Sequence, residues 1–430
     1  MGFGQGLSGL NAASKQLDVI GNNIANAQTV GFKAAQAQFA DVYANSLSGS
    51  GAGQVGIGVK VAAIAQQFTQ GNITATQNPL DIAISGAGFF RLSDNGAVSY
   101  SRNGQFHMDD NGFIVTAQNL NVTGYPVSAA GVVLAGTPVP LHINTKDLDP
   151  KVTSEADTQI NLDSRAALPT VAIFNPADPN SYTQSEPVDI YDSLGNKHNL
   201  QTFYVKTGPA AGVAGPGTWD VYATLDGTQV LSNAVPPPAG GKIAQLTFDA
   251  LGKLNPLTTT PVTAPLYTFG MNLSPVTNLS GAANQAITFS VANSTQFGAA
   301  YSVNALHQDG YTSGKLSKFN TGSDGTILGT YTNGQTAVLG QVVLSNFTDP
   351  NGLQSIGNNQ WIETSESGPP LTGAPSASGL GKLTASATED SNTDLTGELV
   401  NMITAQRVYQ ANAQTIKTQD QVLQTLVNLR

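Results

Sequence analysis

Hydrophobic side chains recur every seven residues at the two ends of the chain, and the long middle carries no comparable stripe. The N-terminal stripe lies within residues 6–33 and comprises Leu10, Leu17 and Ile24. The C-terminal stripe has the same spacing and comprises Leu395, Met402, Tyr409, Ile416 and Leu423. Apolar positions seven apart fall on one face of a helix, as they do in coiled coils. The pattern therefore predicts one helix at each end of the chain.

The C-terminal helix is expected to begin near Thr393 or Asp394, whose side chains suit an N-cap, and to run to Asn428. Isolated helices are marginal in water and take most of their stability from packing. Two arrangements fit the stripes: an antiparallel pair within one chain, or packing against helices of other subunits. The N-terminal stripe is short and includes Gly21, and a pair of helices buries only one face of each. The faces left over favour contacts with neighbouring subunits.

The side chains predicted at such a subunit interface are the apolar ones of both stripes and their helical neighbours. They are Leu7, Leu10, Leu17, Ile20, Ile24, Leu395, Leu399, Met402, Ile403, Tyr409, Ile416, Leu423 and Leu426. Burial stabilises a large apolar side chain by ~1.5–3 kcal/mol, so burying about half of this set gives of order 10–20 kcal/mol before the entropy of ordering is subtracted.

Between the ends the hydrophobic period changes from about 3.6 to two, which is typical of strands. Residues 55–61 alternate as a half-buried strand does, and residues 79–92 resemble a pair of strands. Asn-Gly, the preferred dipeptide of a type I′ hairpin, occurs at 95–96, 103–104 and 111–112 and predicts a β-meander. Residues 148 to about 300 carry their own turns, including 192–197, 226–227 and 249–254. Hairpins resume at 309–354 with a tight turn at Asn333-Gly334, and 363–382 is rich in Ser, Gly and Pro.

These periods predict a mainly β protein with α-helical termini and a nested, multidomain organisation. The termini form a coiled-coil-like inner domain from residues 1–30 with 393–430, and residues 31–76 with 363–392 form a connecting segment. A split β domain comprises 77–147 with 302–362, and an outer β domain is inserted at 148–301. Flexible linkers are expected at 45–54 and 365–381.

Charge is scarce along the chain. Only 11% of the 430 residues are charged, against about 25% in typical soluble domains. The net charge is −10 and no run of Lys or Arg occurs, which argues against nucleic acid as a partner. A surface with few charges needs little desolvation when it is covered, so it suits contacts with many neighbours. The composition therefore favours an assembling protein.

Targeting signals are not apparent. The sequence MGFGQGLSGL lacks the basic and apolar regions of a cleavable signal peptide, and no apolar run reaches the roughly 18 residues of a membrane span. These features predict a protein without membrane insertion that either stays in the cytoplasm or is secreted by a route without a cleavable signal.

Catalytic patterns are also not apparent. His107, His142, His198 and His307 are scattered without metal-ligand spacing, and the chain has no cysteine. The formal GxGxxG at 51–56 precedes a strand instead of a helix, which is the wrong context for a dinucleotide site. We therefore expect neither an enzyme nor a cofactor or metal site.

Three blocks of sequence resemble the bacterial flagellar rod, hook and hook-associated axial protein family. They are SGLNAASKQLDVIGNNIANAQTVGFKAAQAQFADVY, PLDIAISGAGFFRL and ELVNMITAQRVYQANAQTIKTQDQVLQTLVNL. The resemblance also covers DGYTSGKL and DGTILGTYTNGQTAVLGQV, whereas the middle matches only loosely, through VDIYDSLGNKHNLQTFYV. Within the family the chain is most similar to the hook members. Distal rod or hook-associated axial proteins are the nearest alternatives, and a monomeric β-rich adhesin is an alternative from another class.

The resemblance implies a helical homopolymer, a flexible universal joint that transmits torque between the rod and the filament of the flagellum. It also implies export by the flagellar type III apparatus to the outside of the cell. The implied partners are other copies of the chain, the distal rod protein, the hook cap protein, the hook–filament junction proteins and the export gate. Phe39 and Tyr43, in FADVY, match an export-gate recognition pattern, with an interfacial aromatic pair as the alternative.

Overall fold

The architecture is mainly β with α-helices at both ends, as the sequence predicted. The computed structural model describes residues 3–42, 56–128, 131–208, 217–232, 239–256, 267–277 and 281–428. The helices are α1 (Phe3–Ala25), the short α2 (Ser274–Thr277) and α3 (Leu395–Asn428). Asp394 caps α3, because its Oδ1 accepts a hydrogen bond from the Thr396 amide at 3.0 Å. The predicted start and end of the C-terminal helix are therefore confirmed.

The strands are short and numerous, and they are numbered in chain order. Those before residue 145 are β1 (Ala35–Val42), β2 (Gly58–Gln66), β3 (Ile73–Ala75), β4 (Ile82–Ser85), β5 (Phe89–Asp94), β6 (Ala97–Ser101), β7 (Phe106–Met108), β8 (Ile114–Thr116), β9 (Asn121–Tyr125) and β10 (Val139–Pro140). Those of the middle are β11 (Glu155–Asn161), β12 (Gln184–Tyr191), β13 (Lys197–Gly208), β14 (Gly217–Leu225), β15 (Thr228–Gln229), β16 (Leu231–Ser232), β17 (Ala244–Phe248), β18 (Thr268–Asn272), β19 (Ala286–Ser290) and β20 (Ser302–Gln308). The remainder are β21 (Leu316–Thr321), β22 (Thr326–Tyr331), β23 (Thr336–Val342), β24 (Leu344–Asn346), β25 (Gln354–Gly357), β26 (Gln360–Ile362), β27 (Leu371–Gly373), β28 (Lys382–Ala385) and β29 (Ala387–Glu389).

The chain divides into two compact units. Unit 1 contains residues 1–145, 317–330 and 336–430, and unit 2 contains 146–316 and 331–335. Unit 2 is thus an insertion that begins close to the predicted start of the outer β domain. The finer division into four segments remains a prediction.

Unit 1 is built around one large sheet and an aromatic core. Its main path has the order β21-β22-β23-β9-β5-β6-β26-β25. Phe89, Tyr100, Phe347 and Trp361 are buried together, with rings packed edge to face at centroid distances of 4.7–6.0 Å. Edge-to-face rings gain an electrostatic contribution beyond their buried area. This aromatic core stabilises the sheet of unit 1.

Two small sheets join the beginning and the end of unit 1. Strand β3 pairs with β29, and β4 pairs with β28, both antiparallel. Residues 73–85 therefore lie beside residues 382–389, which brings the segments next to α1 and α3 close together. A third small sheet is the β1–β2 hairpin, in which Phe39 lies opposite Val61.

Unit 2 is a pair of sheets packed around a single hydrophobic core. One sheet has the order β16-β18-β19-β11-β20, and the other has the order β12-β13-β14-β15 with β17 also paired to β14. Side chains alternate inward along β14, where Trp219, Val221, Ala223 and Leu225 are all buried. This two-residue period is what a strand with one buried face requires.

The Asn-Gly turns show where local sequence is decisive and where it is not. At Asn95-Gly96 both residues have positive φ, 48° and 101°, and the turn joins β5 to β6 as predicted. The prediction is wrong at Asn103-Gly104, where neither residue has positive φ and β6 pairs with β26 instead of β7. A Cβ on Gly104 would collide with the carbonyl oxygen of Ile82, so this glycine permits a close backbone approach. The continuous meander is therefore interrupted after β6.

Two further expectations are corrected by strand pairing. Strands β4 and β5, in residues 79–92, do not form a pair, because β4 pairs with β28 and β5 pairs with β6, β9 and β24. The predicted linker at 365–381 contains β27, which pairs with β24. The other predicted linker, 45–54, lies outside the described residues.

Candidate subunit interface

Helices α1 and α3 pack against each other as an antiparallel pair. Gly6 faces Ile416, Gly9 faces Asn412, and Asn23 faces Glu398, so residue numbers rise along α1 as they fall along α3. The steps from Gly9 to Asn23 and from Asn412 to Glu398 are equal, which means that the register is constant along the pair. The two ends of the chain thus partner each other within one molecule.

Small residues set the closeness of this pair. A Cβ on Gly6 would lie 3.1 Å from Cγ1 of Ile416, and one on Gly9 would lie 2.6 Å from Oδ1 of Asn412. Ala13 and Ala405 are also buried. The seam of α1 therefore contains Gly6, Ala13 and Ile20, a second repeat of seven that is offset from the bulkier one at Leu10, Leu17 and Ile24.

A buried amide fixes the end of the pair nearest the sheets. Nδ2 of Asn23 donates to Oε1 of Glu398 at 3.0 Å and to the carbonyl oxygen of Ala35 at 2.8 Å. Oδ1 of the same side chain accepts from the amide of Ala35 at 2.9 Å. One side chain thus joins α1, α3 and the first residue of β1, and its polar atoms are satisfied despite its burial.

Most of the predicted interface residues lie outside this seam. Ile20 is buried, with 5% exposure, and the side chains that are partly buried are Leu10, Leu17, Ile24, Met402 and Ile416. Six remain 38–53% exposed, and they are Leu7, Leu395, Leu399, Ile403, Tyr409 and Leu423. The side chain of Leu426 lies outside those that the structure describes. Pairing within the chain therefore leaves an apolar face uncovered on the helix pair.

Sequence reasoning missed several members of this uncovered face. Val400, Val408, Val422 and Val427 on α3 and Phe3 on α1 are also exposed. Phe3 lies seven residues before Leu10 and continues the N-terminal repeat, and Val427 lies four such repeats after Leu399. The other three valines fall outside the repeat that begins at Leu395. An apolar arc broader than one stripe was the available signal, because it exceeds what a single partner helix covers.

A buried ion cluster anchors the helix pair to the sheets of unit 1. Oε1 of Glu389 accepts from Nζ of Lys33 at 2.6 Å, and Oε2 accepts from Nη1 of Arg102 at 3.1 Å. The Gly71 amide also donates to Oε1, at 3.0 Å. All three charged side chains are buried. Glu389 lies at the end of β29, a few residues before α3, so the cluster ties the C-terminal segment to three earlier parts of the chain.

Burial and pairing act in opposite directions on the two cations. Burial lowers the pKa of Lys33, whereas the neighbouring Glu389 carboxylate raises it, and burial is the larger effect. Burial likewise lowers the pKa of Arg102 against the opposing influence of Glu389. Removing one member of such a group costs more than the pair itself contributes, because the remaining charge stays buried.

The hairpin residues of the predicted export pattern are only partly described. Phe39 lies on β1 with its ring exposed, opposite Val61 of β2. Tyr43 lies outside the described residues. Val61 and Ile64 of β2 are also exposed, as is Ile57 just before this strand, so Phe39 is one of several exposed apolar side chains on the hairpin.

Within the described ranges, no group of three or more His, Asp or Glu side chains is arranged to hold a metal ion. One group of ionisable side chains in unit 2 is a histidine between two carboxylates. Nδ1 of His198 lies 2.6 Å from Oδ2 of Asp226, and Nε2 lies 3.3 Å from Oδ2 of Asp192. This group joins two turns at one end of the β12–β13–β14 sheet. Among the described helices, none is both long and apolar enough to cross a membrane.

Four family models match the chain in succession. They are the flagella basal body rod protein model at residues 5–33, the flagellar hook protein FlgE/F/G D1 domain at 83–170, the flagellar basal body protein FlaE D2 domain at 161–311, and the flagellar basal body rod FlgEFG protein C-terminal model at 384–429. The first and last cover α1 and α3, which form the helix pair.

Individual relatives match along the whole chain. The flagellar hook protein FlgE of Salmonella typhimurium is 44% identical over 434 aligned positions, covering 100% of both chains. That of Borreliella burgdorferi is 32% identical and covers 99% of this chain and 98% of its own. A crystal structure of the Helicobacter pylori flagellar hook protein FlgE2 covers 72% of this chain and 98% of its own, with a TM-score of 0.50 and 15% identity, and supports the fold alone. Full-length matches to hook proteins favour this identity over a rod protein or an adhesin. The chain belongs to the family of bacterial flagellar hook proteins, which are structural subunits of the flagellum.

Proposed function

We propose that the chain polymerises into a flexible helical tube that transmits torque from the rod to the filament, and that the uncovered face of the α1–α3 pair makes the contacts between subunits. The observation that carries this proposal is the exposure of Leu399, Val400 and Ile403 together on a helix that already has a partner within the chain. In a lone molecule these side chains face water. In a tube they are covered by the helices of neighbouring subunits.

Burial of this face would contribute free energy to assembly. Six predicted side chains are about half exposed, and burying the rest of each contributes roughly 1 kcal/mol. The total of about 6 kcal/mol per subunit is modest once the entropy of association is subtracted. Each subunit of a tube, however, meets several neighbours, and the cores of units 1 and 2 remain intact throughout. Weak repeated contacts between stable subunits suit a joint that bends as it rotates.

The same proposal includes the route and the partners. The chain would be exported by the flagellar type III apparatus and would lie outside the cell. Its partners would be other copies of itself, the distal rod protein, the hook cap protein and the hook–filament junction proteins, as well as the export gate. The absence of catalytic function and the four-segment domain division belong to this proposal too. Phe39 and Tyr43 are the proposed export-gate residues.

Assembly is tested by a matched pair of substitutions at one exposed position. Ile403→Asn should reduce polymerisation of the purified chain, seen by electron microscopy and sedimentation, while Ile403→Leu should leave it unchanged. Residues 393–430 can also be deleted, with loss of polymer and retention of the unit 2 fold as the expected result. Normal tubes from the Ile403→Asn and deleted chains would contradict the proposed interface.

Export is tested separately. Phe39→Ala should lower the amount of chain secreted by flagellated cells, whereas Phe39→Tyr should preserve it. Purified Phe39→Ala protein should still polymerise, because the ring lies on the hairpin and not on the helix pair. Normal secretion of Phe39→Ala would remove the export role and would favour an aromatic packing role instead.

A further inference from the structure

A groove of about 280 Å³ opens where α1, α3 and the start of β1 meet. Val19, Ile20 and Ala35 give it an apolar wall, and Glu398 and Asn401 give it a polar wall. It lies beside the Asn23 amide, at the end of the helix pair nearest the sheets. The groove therefore combines apolar surface with polar groups at one defined point on the helices.

Helix α3 extends well past α1 at the opposite end of the pair. Since Gly9 faces Asn412 and the register is constant, Phe3, the first described residue of α1, faces about position 418. Residues 419–428 of α3 continue beyond that point. Within this overhang Val422 and Leu423 are about half exposed, and Val427 is 73% exposed. Among the described residues this helix end has no partner helix, and its three exposed apolar side chains form a surface that another molecule can cover.

We propose that the α3 overhang of one copy docks in the groove of a second copy, so that the helix pairs join end to side in a directed series. This inference rests on the proposed polymerisation and names its contact. The occupant cannot come from the same molecule, because about 22 residues of one continuous helix separate Asn401 from Leu423, a distance of about 33 Å. A contact between two different surfaces of identical subunits adds subunits in one direction, and it generates an open helical filament when the rotation between subunits does not close into a ring.

The chemistry of the overhang matches the groove. Its sequence, QDQVLQTLVN, has one charged residue, Asp420, so little desolvation opposes docking. Val427 suits the apolar wall of Val19 and Ile20. Side-chain amides of the overhang can exchange hydrogen bonds with Glu398 and Asn401. A basic or strongly acidic partner would find no complementary charge cluster there.

Disulfide trapping tests this contact without a background, because the chain has no cysteine. A chain with Asn401→Cys and a second chain with Val427→Cys are mixed, polymerised and oxidised, and the cross-linked dimer is measured by gel. Docking raises the local thiol concentration from about ten micromolar to about millimolar, so we expect roughly a hundredfold more dimer in polymer than in dilute monomer. The control pairs Val427→Cys with Lys382→Cys, an exposed position on β28 away from the groove.

The possible results separate this inference from the proposed function. Cross-linking in polymer to Asn401→Cys but not to Lys382→Cys supports the docking. Polymer that cross-links equally to both, or to neither, overturns the docking and leaves polymerisation in place, with the groove then occupied by another part of the chain or by a different protein. If the unmodified chain forms no tube at all, both proposals fail.

A second pair of variants avoids cysteine. Val427→Asp places a charge in the proposed apolar contact and should slow elongation at least about tenfold, whereas Val427→Ile should not. Because Val427 is exposed at the end of a helix, neither change should alter the circular dichroism of the monomer. Equal elongation of the two variants would overturn the docking.

Discussion

Unit 2 buries large apolar side chains in its core, whereas the helix pair leaves many of its large apolar side chains exposed. In unit 2, Trp219, Phe248 and Phe289 are fully buried between two sheets. In the helix pair the seam is formed mainly by glycine, alanine and amide side chains together with Ile20 and Ile416, and most of the other large apolar side chains lie outside it. The large apolar side chains of this core are therefore covered within one molecule, whereas many of those on the helix pair remain exposed. The proposed assembly needs both properties: a stable core within each subunit and an exposed apolar face that contacts neighbouring subunits.

The most direct test of this difference replaces one large apolar side chain by alanine in each region and compares the loss of stability. Phe248→Ala should lower the free energy of unfolding of unit 2 by about 3–5 kcal/mol, because it leaves a cavity in a closed core. Leu399→Ala should change the stability of the monomer by less than about 0.5 kcal/mol, because the side chain is already half in water. Hydrogen exchange of the full chain measures both. A large loss of monomer stability in Leu399→Ala would mean that the helix face is a core.

The anchor between the helix pair and the sheets of unit 1 is the next target. Glu389→Gln should lower the stability of unit 1 by about 3 kcal/mol, because Lys33 and Arg102 would remain buried without an anion. Glu366→Gln, at an exposed carboxylate, is the control and should be nearly neutral. The thermal unfolding midpoint and the hydrogen exchange of the amides near residues 30–35 both measure the effect. Equal stability of the two variants would show that the cluster is not an anchor.

Glycine substitutions in α1 test the closeness of the seam. Gly21→Ala should stabilise α1 by about 1 kcal/mol, since nothing lies within 4 Å of the added Cβ. Gly9→Ala should not give this stabilisation, because the new Cβ would collide with the side chain of Asn412. The double variant Gly9→Ala with Asn412→Ala should recover it. Protection of the α1 amides in hydrogen exchange measures the stability of all three variants. Full stabilisation by Gly9→Ala alone would mean that the two helices lie further apart than in this structure.

The smallest expected effect is a pH dependence in unit 2. Burial lowers the pKa of His198, but hydrogen bonds to Asp226 and Asp192 outweigh it and raise the pKa above 6.5. A raised pKa in the folded state stabilises unit 2 below about pH 6.5, and this contribution is lost as the pH rises through the folded value. Between about pH 5 and pH 9 the loss should be below about 1 kcal/mol. His198→Gln should remove it, and an unchanged slope in that variant would assign the dependence elsewhere.

Local sequence was sufficient for the elements but not for their partners. The cap at Asp394 fixed the start of α3, and Asn95-Gly96 fixed a two-residue turn, because each depends on a few neighbouring residues. Asn103-Gly104 carries the same dipeptide as Asn95-Gly96, yet the backbone of Ile82 decides its conformation. The apolar stripes likewise predicted two helices, but the seam between them formed along smaller residues.

By itself, the sequence determined that this protein has helical ends with more apolar surface than one partner covers, a β-rich middle and a low content of charged residues. Hydrophobic period and capping residues encode these properties within a few turns or strands. Only the tertiary structure decided that Gly6 and Gly9 meet α3, that Glu389 joins Lys33 and Arg102 across more than 280 residues, and which apolar side chains remain outside. Such choices depend on close approach and on the burial of charge, and both arise only when distant segments come together.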